Sequence, residues 1–129
     1  MELAALEAVV AKERELGYEP VVVSDKDLGW DIESRIPGAG KLRFIEVKGR
    51  AEGATTVTVT KNEILAGLNK PEDFLLAIVE VAFEGEKAVG GQLHYISKPF
   101  QRELDFAATR VNYEWRELLL AQNHKRQIP

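Results

Sequence analysis

The stretch GWDIESRIPGAGKLRFIEVKGR, residues 29–50, decides the fold. Two runs of alternating character, WDIESRI and KLRFIEVK, flank a Pro-Gly-Ala-Gly turn. This reads as two strands, neighbours in a hairpin. Side chains two apart on a strand share a face. Leu42, Phe44, Glu46 and Lys48 therefore point one way, and Arg43, Ile45 and Val47 the other. The strand interior is apolar on both faces, so the charged pair ends a buried strand. Asp31 lies fifteen positions before Glu46, on the preceding strand. If the two strands pair around the turn, the two carboxylates come close together.

Working outward, residues 3–16 place Leu3, Leu6, Val9, Val10 and Leu16 at helical spacing, with Gly17 as the left-handed residue that ends the helix. PVVVS reads as a short buried strand. TTVTVT is β-branched throughout and reads as a strand after a GRAEGA loop. Thr60 can cap a helix KNEILAGLNK, with Glu63 three positions on completing a capping box. DFLLAIVEVAF looks like a strand buried on both faces. EGEKAVGG reads as a loop and QLHYIS as a further strand. ATRVNYEWRELLLAQNHK reads as a closing amphipathic helix, with Val111, Trp115, Leu118 and Leu119 on one side. His124, Lys125 and Arg126 fall in its last turn, where the helix dipole favours them. The expectation is one domain over residues 1–129, a mixed α/β sheet flanked by helices.

Composition narrows the function. There is no Cys and only two His, His94 and His124, which removes thiolate metal sites and disfavours an imidazole zinc site. The same lack of Cys makes a cytoplasmic location the expectation. The N-terminus carries acids from its second residue and lacks the basic start of a signal peptide. No apolar run reaches the roughly 20 residues of a membrane span. The net charge of −4 argues against tight nucleic-acid binding by charge alone. Residues 41–61 nevertheless hold five basic residues (Lys41, Arg43, Lys48, Arg50, Lys61) against Glu46 and Glu52, one locally basic face.

Two carboxylates converging at a strand end make a hard-oxygen site suited to Mg²⁺ or Mn²⁺, with the Val47 carbonyl as a further ligand. A lysine beside the ion can orient an attacking hydroxide and stabilise charge on a phosphate. Asp31, Glu46 and Lys48 thus supply the parts for metal-assisted phosphodiester hydrolysis. The plainer alternative is an ion pair at a strand end, worth less than about 1 kcal/mol if solvated.

The stretches GWDIES, FIEVKGR and TVTKNEILAG, in that order, resemble the domain at the C-terminus of the protein NO VEIN. More broadly the pattern is similar to the PD-(D/E)XK nuclease-like superfamily, restriction-endonuclease-like domains with an αβββαβ core, here with an extra C-terminal helix. That resemblance implies a nuclease of DNA restriction, repair or processing, with Asp31 and Glu46 as metal ligands and Lys48 as the catalytic lysine. It matches Glu7 to an accessory acid of the first helix, with Glu2, Glu13 and Glu15 competing, and Asn62 and Glu63 to the family's Asn-Glu pair. The usual Pro before the Asp is absent, with Trp30 in its place. It also implies nucleic acid, DNA foremost, as partner, a helicase or other nucleic-acid-processing module as company, and a homodimer as one arrangement for cutting both strands.

Several residues carry two readings. Asn62 and Glu63 face the site or serve only the cap. Arg50 and Lys61 contact phosphates or are solvated charges. Trp30 shapes the groove floor or is a core wedge. His94, with no acid near it in sequence, reads as structural. Two other functions compete with the nuclease: a non-cleaving nucleic-acid-binding or targeting module, and a protein-interaction domain using the last helix.

Overall fold

The computed structural model describes residues 2–105 and 107–127, without the side chains of residues 123–127. In chain order the elements are α1 (Glu2–Glu15), β1 (Glu19–Val22), β2 (Ile32–Ile36), β3 (Lys41–Ala51), β4 (Thr56–Thr60), α2 (Lys61–Asn69), β5 (Phe74–Glu84), β6 (Lys87–Ser97), β7 (Arg110–Glu114) and α3 (Trp115–Gln127). A 3-10 turn lies at Ser24–Lys26. The main sheet has five strands in the order β1-β2-β3-β5-β6, and β4 pairs with β7 in a second sheet.

β2 and β3 form the expected hairpin, with Ile32 opposite Ile45 and Ile36 opposite Lys41. β3 then runs parallel to β5, placing Lys48 opposite Ile78 and Arg50 opposite Glu80. A parallel pair needs a crossover, which β4 and α2 supply. The result is the mixed α/β sheet flanked by helices, with a C-terminal helix, that the sequence suggests.

Alternation along β3 and β5 divides the core in two. Ile32, Ile45, Ala77, Val79 and Val81 pack with Ala5 and Val9 of α1. Phe74, Leu76 and Ile78 pack on the opposite face with Val57, Val59, Ile64, Ile96 and Trp115. Each buried Val, Leu, Ile or Phe among them contributes about 2 kcal/mol by leaving water. α1 faces the sheet with Ala5, Val9 and Glu13, four apart. Glu13 is fully buried, yet saturated. It accepts two bonds from Arg43, at 2.8 and 3.1 Å, and one from the Tyr95 hydroxyl at 2.6 Å. Burial works to lower the Arg43 pKa, but Glu13 outweighs it and holds the guanidinium charged. The helix ends as expected: Gly17 has φ +88°, and the Tyr18 N–H reaches the Glu13 carbonyl at 2.9 Å.

Several expectations are corrected. Arg110–Glu114 is a strand, because its alternating Val111 and Tyr113 pair with β4; the last helix begins only at Trp115. β3 continues through Gly49 and Arg50 to Ala51, since β5 offers a partner as far as Val81. Most of EGEKAVGG is likewise strand, with β5 and β6 turning tightly at Gly85. PVVVS is an exposed edge: Val21 is 60% exposed, and only Val23 is buried. Leu3 and Leu16 also face solvent. The basic side chains expected near the end of the last helix, His124, Lys125 and Arg126, lie outside the described residues.

Candidate active site

Asp31 stands where β2 begins. Its backbone N–H donates to the Ile45 carbonyl and its carbonyl accepts from Val23, both at 2.8 Å. Its Oδ2 accepts from the Val47 N–H at 2.9 Å. Ile45 and Val47, two apart, thus turn their backbones to the same side. The Val47 carbonyl therefore faces the side on which β2 has ended. The approach to Asp31 is tight. Gly29 has φ +96°, and a Cβ there would lie 2.9 Å from Ala66 Cβ on α2. Trp30 then sets its ring edge against Phe44, centroids 4.9 Å apart.

Glu46 is buried on the α2 side of β3, 4% exposed. Lys48, next on that face, lies 3.3 Å from Glu46 Oε2 and 2.9 Å from Glu63 Oε1. Glu63 belongs to the capping box of α2: its backbone N–H donates to Thr60 Oγ1, and its Oε1 accepts from the Thr60 N–H. Cap and site contact, alternatives in the sequence, are one arrangement in the fold.

The electrostatics follow from three carboxylates around one ammonium. Burial first, then Glu63 and Asp31, push the Glu46 carboxyl up to about 10. Burial also raises Asp31, against the lowering effect of its hydrogen bonds with Val47 and Glu46. Burial works to lower Lys48, but Glu46 and Glu63 outweigh it and raise its pKa. The site carries an excess of acid that a cation would offset.

These groups line a cleft of about 390 Å³, which Asp31, Glu46, Val47, Lys48, Arg50 and Glu63 share. A smaller pocket of about 110 Å³ adjoins it, reached by Trp30 and Asn62 as well as Asp31, Glu46 and Glu63. Glu7 is exposed and lines neither; from α1 it is Glu2 that reaches the cleft. Lys61 is exposed and lines neither pocket. Among the described residues, no group of three or more His, Cys, Asp or Glu side chains is placed to hold a metal ion. Asp31, Glu46 and Val47 line the same cleft, which brings two carboxylates and a backbone carbonyl, all hard oxygen donors, to one place.

The sequence reading missed the Lys48–Glu63 contact and the partners of His94. His94 Nε2 lies 2.9 Å from Glu80 Oε2, and Arg116 bonds Glu80 Oε1 at 2.9 Å. β5 and β6 bring Glu80 and His94 together, fourteen positions apart.

A mixed sheet flanked by helices makes this chain an α/β domain, with the carboxylate–lysine cleft beside its crossover helix. More specifically, the chain belongs to the family described as protein NO VEIN, C-terminal, whose model matches residues 1–96. Asp31, Glu46, Lys48 and Glu63 all fall within that match. None of the curated proteins matches the chain. Among the described residues, no helix is long and apolar enough to cross a membrane.

Proposed function

We propose that this chain is a divalent-metal-dependent nuclease domain of the PD-(D/E)XK type, hydrolysing phosphodiester bonds in nucleic acid, DNA foremost. The observation that carries the reading is the convergence of Asp31, Glu46 and Lys48 in one cleft. Asp31, Glu46 and the Val47 carbonyl would hold Mg²⁺ or Mn²⁺. The bound ion would polarise the phosphoryl oxygen and acidify a water.

The chain's own residues do the rest. Lys48 orients the water and offsets charge developing on the phosphate. Its ammonium is already charged and placed, because Glu46 and Glu63 hold it. The Val47 N–H fixes one oxygen of Asp31, so its carboxylate enters the cleft in a set orientation. The buried position of Glu46 limits competing water.

The test is cleavage of plasmid and oligonucleotide DNA in Mg²⁺ or Mn²⁺. Lys48→Ala and Asp31→Ala should abolish cleavage while the far-UV spectrum stays native. Equal cleavage by both variants removes the assignment. Salt-dependent binding without turnover in either metal moves the chain to the non-cleaving module instead.

A further inference from the structure

A second polar cluster lies beyond the carboxylate–lysine site. Glu80, 8% exposed, receives Arg116 on Oε1 and His94 on Oε2, each at 2.9 Å. Arg116 also rests on Trp115, its guanidinium carbon 4.4 Å from the ring centroid. Trp115 is itself fixed, fully buried with its indole N–H on the Ala54 carbonyl at 3.0 Å. Arg116 is nevertheless 57% exposed. It is thus an exposed guanidinium whose orientation is set by a buried carboxylate and a buried ring. Only one of its five N–H donors need serve Glu80.

Arg50 stands beside this cluster. It is the ladder partner of Glu80 and, two residues past Lys48, shares the cleft face. Its Nε is buried with no hydrogen-bond partner among the described residues. Arg116 bonds Glu80 and Arg50 neighbours it across the ladder, so two basic residues adjoin one carboxylate at this end of β3, whereas Asp31, Glu46 and Glu63 outnumber Lys48 nearer its middle. Lys48 and Arg50 lie about 6.6 Å apart along the strand, a span that a single nucleotide unit bridges.

We propose that Arg50 and Arg116 form a phosphate subsite that binds the nucleotide next to the one at Lys48. This rests on the nuclease reading of the cleft and adds a direction to it: the strand runs from the acidic end across Arg50 to Arg116. Planar guanidiniums suit a phosphate by geometry as well as charge. Because basic residues outnumber the carboxylate at this end without any metal, the subsite binds before an ion does.

The experiment is oligonucleotide binding by fluorescence anisotropy in EDTA, over a range of salt concentrations. Arg50→Gln and Arg116→Gln should each weaken binding by about 3- to 10-fold and reduce the salt slope by about 0.7–0.9. Arg116→Lys should keep the slope, since it keeps the charge. Lys12→Gln, an exposed change outside the cleft, should alter neither. Absence of wild-type binding at low salt, or slopes unchanged in both Gln variants, overturns the subsite. Neither result depends on turnover in Mg²⁺, so failure here is distinct from failure of the nuclease reading.

Discussion

Lys48 and Glu63 meet at 2.9 Å although one stands on a central strand and the other in the first turn of α2. The oxygen that receives Lys48 also accepts the Thr60 N–H, so a helix cap and a site lysine share one atom. Glu63→Gln retains an acceptor for both bonds and removes the charge. The variant should lose less than about 1 kcal/mol in urea denaturation, the range of a weakened cap. Its phosphodiester turnover should fall about tenfold, each factor of ten being ~1.4 kcal/mol of barrier. Wild-type turnover in Glu63→Gln would reduce Glu63 to a cap.

Stability should depend on pH through Glu46. Its folded pKa of about 10 stands above the ordinary 4.5. Between those values the folded chain keeps a proton that the unfolded chain has released, so stability falls as pH rises through the window. The slope is at most about 1.4 kcal/mol per pH unit. Glu46→Gln should be more stable than wild type near pH 8 and flatter with pH. Parallel pH profiles of the two proteins in urea melts would refute this origin.

Adding Mg²⁺ should act in the opposite sense. An ion on Asp31 and Glu46 favours their charged forms and stabilises the folded chain by mass action. The melting temperature should rise with Mg²⁺ in wild type and not in an Asp31→Asn, Glu46→Gln double variant. A rise of equal size in both would place the ion elsewhere.

Gly29→Ala should destabilise by roughly 1–3 kcal/mol, because the residue has φ +96° and its Cβ would press on Ala66. Trp30 and Asp31 follow directly, so the metal-induced stabilisation should shrink as well. Calorimetry with and without Mg²⁺ separates the two effects, and an unchanged melting temperature would contradict both.

Glu13→Gln should cost about 3 kcal/mol, since it leaves Arg43 without its buried counter-charge. The loss should appear in denaturation while turnover at the distant cleft is retained. A near-neutral Glu13→Gln would mean that Arg43 finds water instead.

Local pattern carried the sequence reading far. The PGAG turn and the parity of FIEVK were enough to bring Asp31 and Glu46 to one cleft and to place Glu46 and Lys48 on one face. The Thr60 cap was equally legible, because all its atoms lie within four residues. What failed was non-local. RVNYE runs without punctuation into a helical pattern, and only β4, some fifty residues earlier, makes it a strand. Gly49 resembled a loop because its partner Val79 lies thirty positions on. Glu80, His94 and Arg116 share no local spacing at all and are joined only by β5, β6 and α3.

Trp115 carries a consequence for how the chain can be divided. It is fully buried in one cluster with Val57, Val59 and Ile64, which lie inside the family match, while Trp115 lies beyond its end at residue 96. β7, the partner of β4, lies beyond it too. A fragment cut after Ile96 would bare that apolar face and leave the β4 edge open to pairing with other molecules. The shared segment is therefore smaller than the cooperative unit. Transplanting residues 1–96 into another protein should yield aggregates unless the host supplies a substitute for the last strand and helix.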